Sequence, residues 1–174
     1  MNGDLLVACI GNIFLGDDGF GFEVAQALAG VDMPPGVRVR DFGIRGLDLA
    51  YALLCPWKAV VLVDAVARGG APGTLYLLQP GEMTATVGDT AVDPHGMHPA
   101  RVLATARSLG QVSAAIYILG CEPADFGAEA EGRMGLSPAV AAAVPEAVKM
   151  VRQLAERLSN NAAAFLAAAQ GADR

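Results

Sequence analysis

No apolar run in this chain is long enough to cross a bilayer. Runs such as Ala59–Val63, Ala114–Leu119 and the longer, alanine-rich Ala162–Ala169 fall far short of the roughly 20 residues a spanning helix needs. Basic charge is also scarce. Twelve scattered lysines and arginines stand against 18 acids, giving a net charge of −6, which argues against nucleic acid as a partner. The opening Met-Asn-Gly-Asp has no basic stretch, so no signal peptide is expected. Three cysteines, Cys9, Cys55 and Cys121, show neither metal-knuckle nor Cys-x-x-Cys spacing. Reduced, buried thiols and a cytoplasmic setting are the expectation.

Several catalytic patterns are missing too. There is no Gly-x-Ser-x-Gly elbow, and Ser108, Ser113, Ser137 and Ser159 fall in helix, loop, cap and tail contexts. A serine triad is therefore not expected. Cys121 sits beside Glu122, and an acidic neighbour raises a thiol pKa and works against a thiolate nucleophile. The first predicted strand leads into Cys9-Ile-Gly11-Asn-Ile-Phe, which lacks two glycines of a dinucleotide fingerprint. No internal repeat is present.

What the chain does have is apolar segments alternating with helical patterns. At 174 residues and 53% hydrophobic, it is most simply one domain, long enough to bury about two-thirds of its unfolded surface. Strands are expected at 5–9, 37–41, 59–64, 74–78 and 114–120. Helices are expected at 20–28, 46–54, 99–108 and 138–158. Runs such as Ala-Val-Val-Leu-Val lack polar alternation and should be buried on both faces. The fold class is therefore α/β: a three-layer α-β-α sandwich around a twisted, mostly parallel, five-stranded sheet. The short link 67–73 cannot hold a helical crossover, so strands three and four should pair antiparallel and make the sheet mixed. Ser137 and Pro138 mark the start of the last helix, and Pro145 should kink or split it. The domain is assigned to 1–159. The Ala-rich tail 160–174, after Ser159-Asn-Asn161, is assigned as a short helical appendage.

Three predicted loops carry metal-capable side chains. The first is Ile10-Gly-Asn-Ile-Phe-Leu-Gly-Asp-Asp-Gly-Phe-Gly21, with Asp17 and Asp18 in a Gly-rich strand-to-helix turn. Such turns usually cradle phosphate, but two carboxylates repel phosphate and suit a cation. The second is the end of Ala59-Val-Val-Leu-Val-Asp64. The third is Asp93-Pro-His-Gly-Met-His98, which holds both histidines of the chain. Carboxylates with an imidazole form a donor set for a borderline divalent ion such as Zn, Ni, Co, Mn or Fe. Each residue also has a plainer role: Asp64 and Asp93 as turn formers, Asp17 or Asp18 as a helix cap, either histidine as a solvated loop residue. Gly43, Arg45 and Gly46 form another rim loop, either a turn before a helix or a substrate contact through Arg45. Phe20 and Met97 are assigned to the core in preference to a groove.

The order of these motifs, continued by Asp41-Phe-Gly-Ile-Arg-Gly46, Gly120-Cys-Glu-Pro123 and Gly135-Leu-Ser-Pro138, resembles the nickel–iron hydrogenase maturation proteases over residues 4–158. Where many members carry Gly-x-Gly-Asn, this chain has Cys9 in place of the first glycine. The resemblance implies an endopeptidase that removes a C-terminal extension from the hydrogenase large-subunit precursor after nickel insertion. It implies metal contact by an acid in the first loop, an Asp at the third strand's end and a His, which match Asp18, Asp64 and His95. Asp17 and His98 are then neighbours, and with Gly43, Arg45 and Gly46 they are candidate substrate contacts. The nickel would be carried by the substrate, with zinc or another divalent metal as an alternative occupant. A monomer is expected. The competing readings are a noncatalytic chaperone of the large subunit and a nucleotide-binding module.

Overall fold

The computed structural model describes residues 5–80, 98–126 and 132–171, with side chains as far as residue 160. The expected elements form within a few residues of their expected bounds, apart from the C-terminal end of the last helix. The strands are β1 (Leu5–Ile10), β2 (Val37–Gly43), β3 (Ala59–Ala65), β4 (Leu75–Leu78) and β5 (Ala115–Cys121). The helices are α1 (Phe20–Leu28), α2 (Gly46–Leu53), α3 (Pro99–Leu109) and α4 (Pro138–Gly171), with a 3₁₀ turn at Gly16–Gly19.

The five strands lie in the order β2-β1-β3-β5-β4. The pairs β1–β2, β1–β3 and β3–β5 are parallel, and only β4–β5 is antiparallel. The sheet is thus mixed, but the antiparallel partner of β4 is β5 and not β3 as expected. The inner edge of β3 is already taken by β5, so the short link carries the chain past β5 to the sheet's margin. Both margins are blunt. β4 has four residues, and β2 turns Arg38 and Arg40 outward between half-buried valines.

Strand residues alternate between two cores. Leu5, Val7, Cys9, Val61 and Val63 pack with Phe20 and Val24 of α1 and with Val140, Ala147, Val151 and Ala155 of α4. On the other face Leu6, Ala8, Ile10, Val60, Leu62 and Ile118 pack with Leu49 and Leu53 of α2 and Val102, Leu103 and Ala106 of α3. Phe20 is a core residue, as expected; Met97 lies outside the described residues. Cys9 and Cys121 are buried as expected, whereas Cys55, just past the end of α2, is exposed. Burial, with Asp41 nearby, pushes the Cys9 thiol up to about 12.

The last helix departs from expectation at two places. Pro145 does not split it, because Pro145 and Ala141, whose carbonyl loses its helical partner, both lie on the exposed side. Nor does it stop at Ser159-Asn-Asn161: it runs on to Gly171. Serine and asparagine only modestly disfavour helix, and an established helix extends easily into an alanine-rich segment.

α1 approaches the sheet closely at Gly21. A Cβ there would overlap the carbonyl oxygen of Ile10 and come within 2.7 Å of that of Val63. Gly21→Ala should therefore force the helix off β1 and β3 at a cost of about 3 kcal/mol or more, read by chemical denaturation. An unchanged midpoint would show that α1 is not seated this tightly.

Candidate functional site

The parallel sheet has its switch point between β1 and β3, where successive connections leave in opposite directions. Ligands in such sheets bind at the carboxyl end of that crevice. Asp18 follows β1 in the 3₁₀ turn, and Asp64 closes β3 one residue before its end. The turn packs against β3, so the two elements that carry these carboxylates meet at the crevice.

Each is oriented by a backbone amide. Asn12 N–H donates to Asp18 Oδ2 at 2.8 Å, and Ala65 N–H donates to Asp64 Oδ1 at 2.8 Å. Asp18 is half-buried and Asp64 is buried. The loop around Asp18 depends on Gly11. Its φ of +144° is rarely open to a side chain, and a Cβ there would overlap the carbonyl oxygen of Asp18. Carboxylates fixed in this way suit a divalent cation, and two carboxylates plus an imidazole are the donor set expected above. The third predicted member, His95, lies outside the described residues, as do Asp93 and Met97. Among the described residues, no three His, Cys, Asp or Glu side chains come together as a metal cluster.

His98 is described, at the start of α3. It caps α3: its Nδ1 accepts the Ala100 N–H at 3.3 Å, and Pro99 occupies the first helical position.

Asp17 is fully buried and neither faces the surface nor caps α1, whose N-cap is Gly19 with no side-chain bond. Its Oδ1 accepts Ser137 N–H at 2.6 Å. Its Oδ2 accepts the Ser137 hydroxyl at 2.9 Å and the amides of Ala124 at 2.8 Å and Asp125 at 3.2 Å. Burial alone would raise this carboxyl, but the amides of Ser137, Ala124 and Asp125 and the Ser137 hydroxyl outweigh it and hold the pKa below the usual range. Main-chain bonds reinforce the junction: Gly16 N–H to Arg133 O at 2.7 Å, Arg133 N–H to Phe14 O at 2.9 Å, and Asp17 N–H to Asp125 O at 3.2 Å.

Arg45 turns its guanidinium onto its own chain. Nε donates to Phe42 O at 3.1 Å and a terminal nitrogen donates to Asp41 O at 2.6 Å. The Gly43 amide donates to Asp41 Oδ1, and the Gly43 carbonyl accepts from Gly11, tying this rim loop to the first one. Gly46 opens α2. Beside it a groove of about 420 Å³ runs between α2 and α3, lined by Ile44, Arg45, Leu47, Asp48, Val102 and Thr105.

Glu122 was read from the sequence as a neighbour of Cys121 and as part of a family motif, with no role of its own, and the structure gives it a larger place. It is buried, and its carboxylate accepts Arg68 N–H at 2.8 Å, Gly69 N–H at 3.0 Å and the Tyr76 hydroxyl at 2.8 Å. Burial would raise its pKa, yet these donors and the Gly70 amide lower it. Cys121 is pushed up to about 12, by burial first and then by Asp17 and Glu122, so it is no thiolate at neutral pH.

A lowered carboxyl pKa contributes stability above its unfolded value, near 4.5 for Glu122, and that contribution is lost as pH falls through the folded value. Glu122→Gln should therefore cost about 1–3 kcal/mol at pH 7. The gap to the parent should close in acid, checked by urea titrations across pH. A gap that stays constant would remove the charge from the explanation.

The profile of the hydrogenase maturation protease family matches residues 22–154. The chain is 33% identical over 156 residues to the hydrogenase expression/formation protein HupD of Rhodobacter capsulatus, covering 85% of this chain and 71% of that one. It is 28% identical to the hydrogenase 2 maturation protease of Escherichia coli K12, covering 84% and 87%. Among solved structures it is similar to the hydrogenase maturating endopeptidase HybD from E. coli, with a TM-score of 0.69, 27% identity and coverage of 85% and 89%. A fold with its crevice at this switch point, two amide-oriented carboxylates beside it and these relatives lead to one conclusion: the chain belongs to the hydrogenase maturation proteases, and it is a peptidase.

Proposed function

We propose that this endopeptidase removes the C-terminal extension of a nickel–iron hydrogenase large-subunit precursor, and that it does so after nickel has been inserted. Asp18, Asp64 and His95 would read the nickel that the substrate carries. The observation that carries this reading is the pair of carboxylates held by backbone amides at the switch-point crevice. Oxygen donors with one imidazole suit nickel, and zinc or another borderline divalent ion would be the alternative occupant. The groove between α2 and α3 would take the extended peptide, with Arg45 and Gly46 in its lining and Gly43 next to them in the chain. The protein would act as a monomer in the cytoplasm, where the buried thiols of Cys9 and Cys121 stay reduced. Among the described residues no helix is long and apolar enough to cross a membrane.

The division of labour in cleavage follows from the residues. The carboxylates and imidazole orient the loaded metal centre against the crevice, and the groove holds the extension so that the scissile bond lies at its mouth. Binding energy from the extension is thereby used to position the bond.

The test is incubation of the purified protein with nickel-loaded and nickel-free precursor, read by intact mass. Loss of a C-terminal peptide from the loaded form alone is the expected result; equal cleavage of both would remove nickel as the signal. Asp18→Ala, Asp64→Asn and His95→Ala should each slow processing by more than about 100-fold. Groups that merely orient metal ligands already cost about 10–100-fold. His98→Ala should process normally and lose only about 0.5–1 kcal/mol of stability, the worth of a cap. Full activity in Asp18→Ala or His95→Ala, or its loss in His98→Ala, would overturn the assignment.

A further inference from the structure

The segment Glu122–Asp125, just past β5, joins the two halves of the crevice. Glu122 reaches one way and holds the loop that follows Asp64, through the amides of Arg68 and Gly69. The Val66 amide also donates to Cys121 O at 2.9 Å, immediately before this segment. The amides of Ala124 and Asp125 reach the other way to Asp17, the residue beside Asp18. Asp17 in turn is fixed to the start of α4 through both donors of Ser137.

We infer that Asp17 and Glu122 are positioning residues for the peptidase reaction: through the Glu122–Asp125 strap they set the separation of Asp18 and Asp64. This rests on the reading of Asp18 and Asp64 as the metal-contacting pair. Neither Asp17 nor Glu122 touches substrate, since both are buried with their oxygens occupied from within the chain. What they supply is a fixed distance. The ladder between β1 and β3 ends before either carboxylate; Asp64 is held opposite Gly120 by the ladder between β3 and β5, while Asp18 sits in a turn outside any ladder that packs against β3. A third segment bonded to both loops provides that constraint. A displacement of about 1 Å at a reacting centre can cost on the order of 100-fold in rate.

The geometry distinguishes this from simple stabilisation. Asp17→Asn places an amide NH₂ where a carboxylate oxygen accepts donors. Ser137→Ala removes only one of the four donors to Asp17, and Ser137→Thr keeps its hydroxyl. Val151→Ala opens a cavity in the α1–α4 core about 20 Å along α4 and serves as a stability-matched control. Processing of nickel-loaded precursor is measured well below the melting temperature of every variant, with kcat and KM determined separately. The expected result is a fall in kcat of about 10-fold or more in Asp17→Asn and Glu122→Gln, with little change in KM. Ser137→Ala should fall less, Ser137→Thr should restore the rate, and Val151→Ala should keep the parental kcat.

Equal rates in Asp17→Asn, Glu122→Gln and Val151→Ala at matched melting temperatures would overturn the inference. If Asp17→Asn fails to fold, the Ser137→Ala and Ser137→Thr pair decides: equal rates in the two would sink it. Failure of the underlying reading looks different, because it would show as normal processing by Asp18→Ala.

Discussion

A carboxylate with no access to water is costly unless donors replace the water it has lost. Asp17 meets that condition with four donors drawn from two separate segments. These segments are distant in sequence, more than 100 residues from Asp17, and they come together only when β1, β5 and α4 are all in place. The charge is therefore tolerated only in the complete fold. Removing one partner leaves the others facing an unpaired group, and the penalty falls on the whole sheet edge instead of on one contact. The geometry of the crevice, the seating of the Gly-rich loop and the start of the longest helix all hang on this one group.

The surface ion pairs contribute little by comparison. Arg133 with Asp125, and Arg152 with Glu156, are largely solvent-exposed pairs. Exposed pairs of this kind are worth at most about 1 kcal/mol and weaken with salt. The apolar alternation of β1 and β3 supplies the bulk of the stability, while the buried polar junctions decide how the loops lie upon it. This separation is common in α/β enzymes, where a rigid sheet carries loops that bear the chemistry.

Much of the fold could be read along the chain because its signals are local. Buried strands such as Leu5–Cys9 are unbroken apolar runs, and Ser137-Pro138 announces a helix start by chain geometry alone. The place of Asp64 at the end of β3 was legible for the same reason: a single acid closes an apolar strand. The partner of β4 was not, because pairing depends on which sheet edge remains open after β3 and β5 join. Nor was the place of Asp17 and Glu122. Most of their donors are backbone amides, which carry no sequence signature, and with the Tyr76 and Ser137 hydroxyls they arrive from 46 to 120 positions away. That the fold buries Asp17 and leaves Asp18 half-buried has no local signal either, because it depends on donors arriving from beyond β5 and from the start of α4. The extension of α4 past Ser159 depended on helix propagation, which local breakers of modest strength do not stop.

The two margins of the sheet carry a further consequence. A strand edge with open N–H and C=O groups is a template on which another extended chain can be laid. Here one margin is a strand of only four residues and the other sets arginines at alternate positions. A short edge offers few rungs, and guanidinium groups repel a second copy of the same edge while keeping it hydrated. For a peptidase built on a parallel sheet, the hazard is that a peptide chain, or a sister molecule, adds to the sheet itself. Blunt margins turn such chains away from the backbone ladder, so neither side of the sheet offers a ready template to an extended segment.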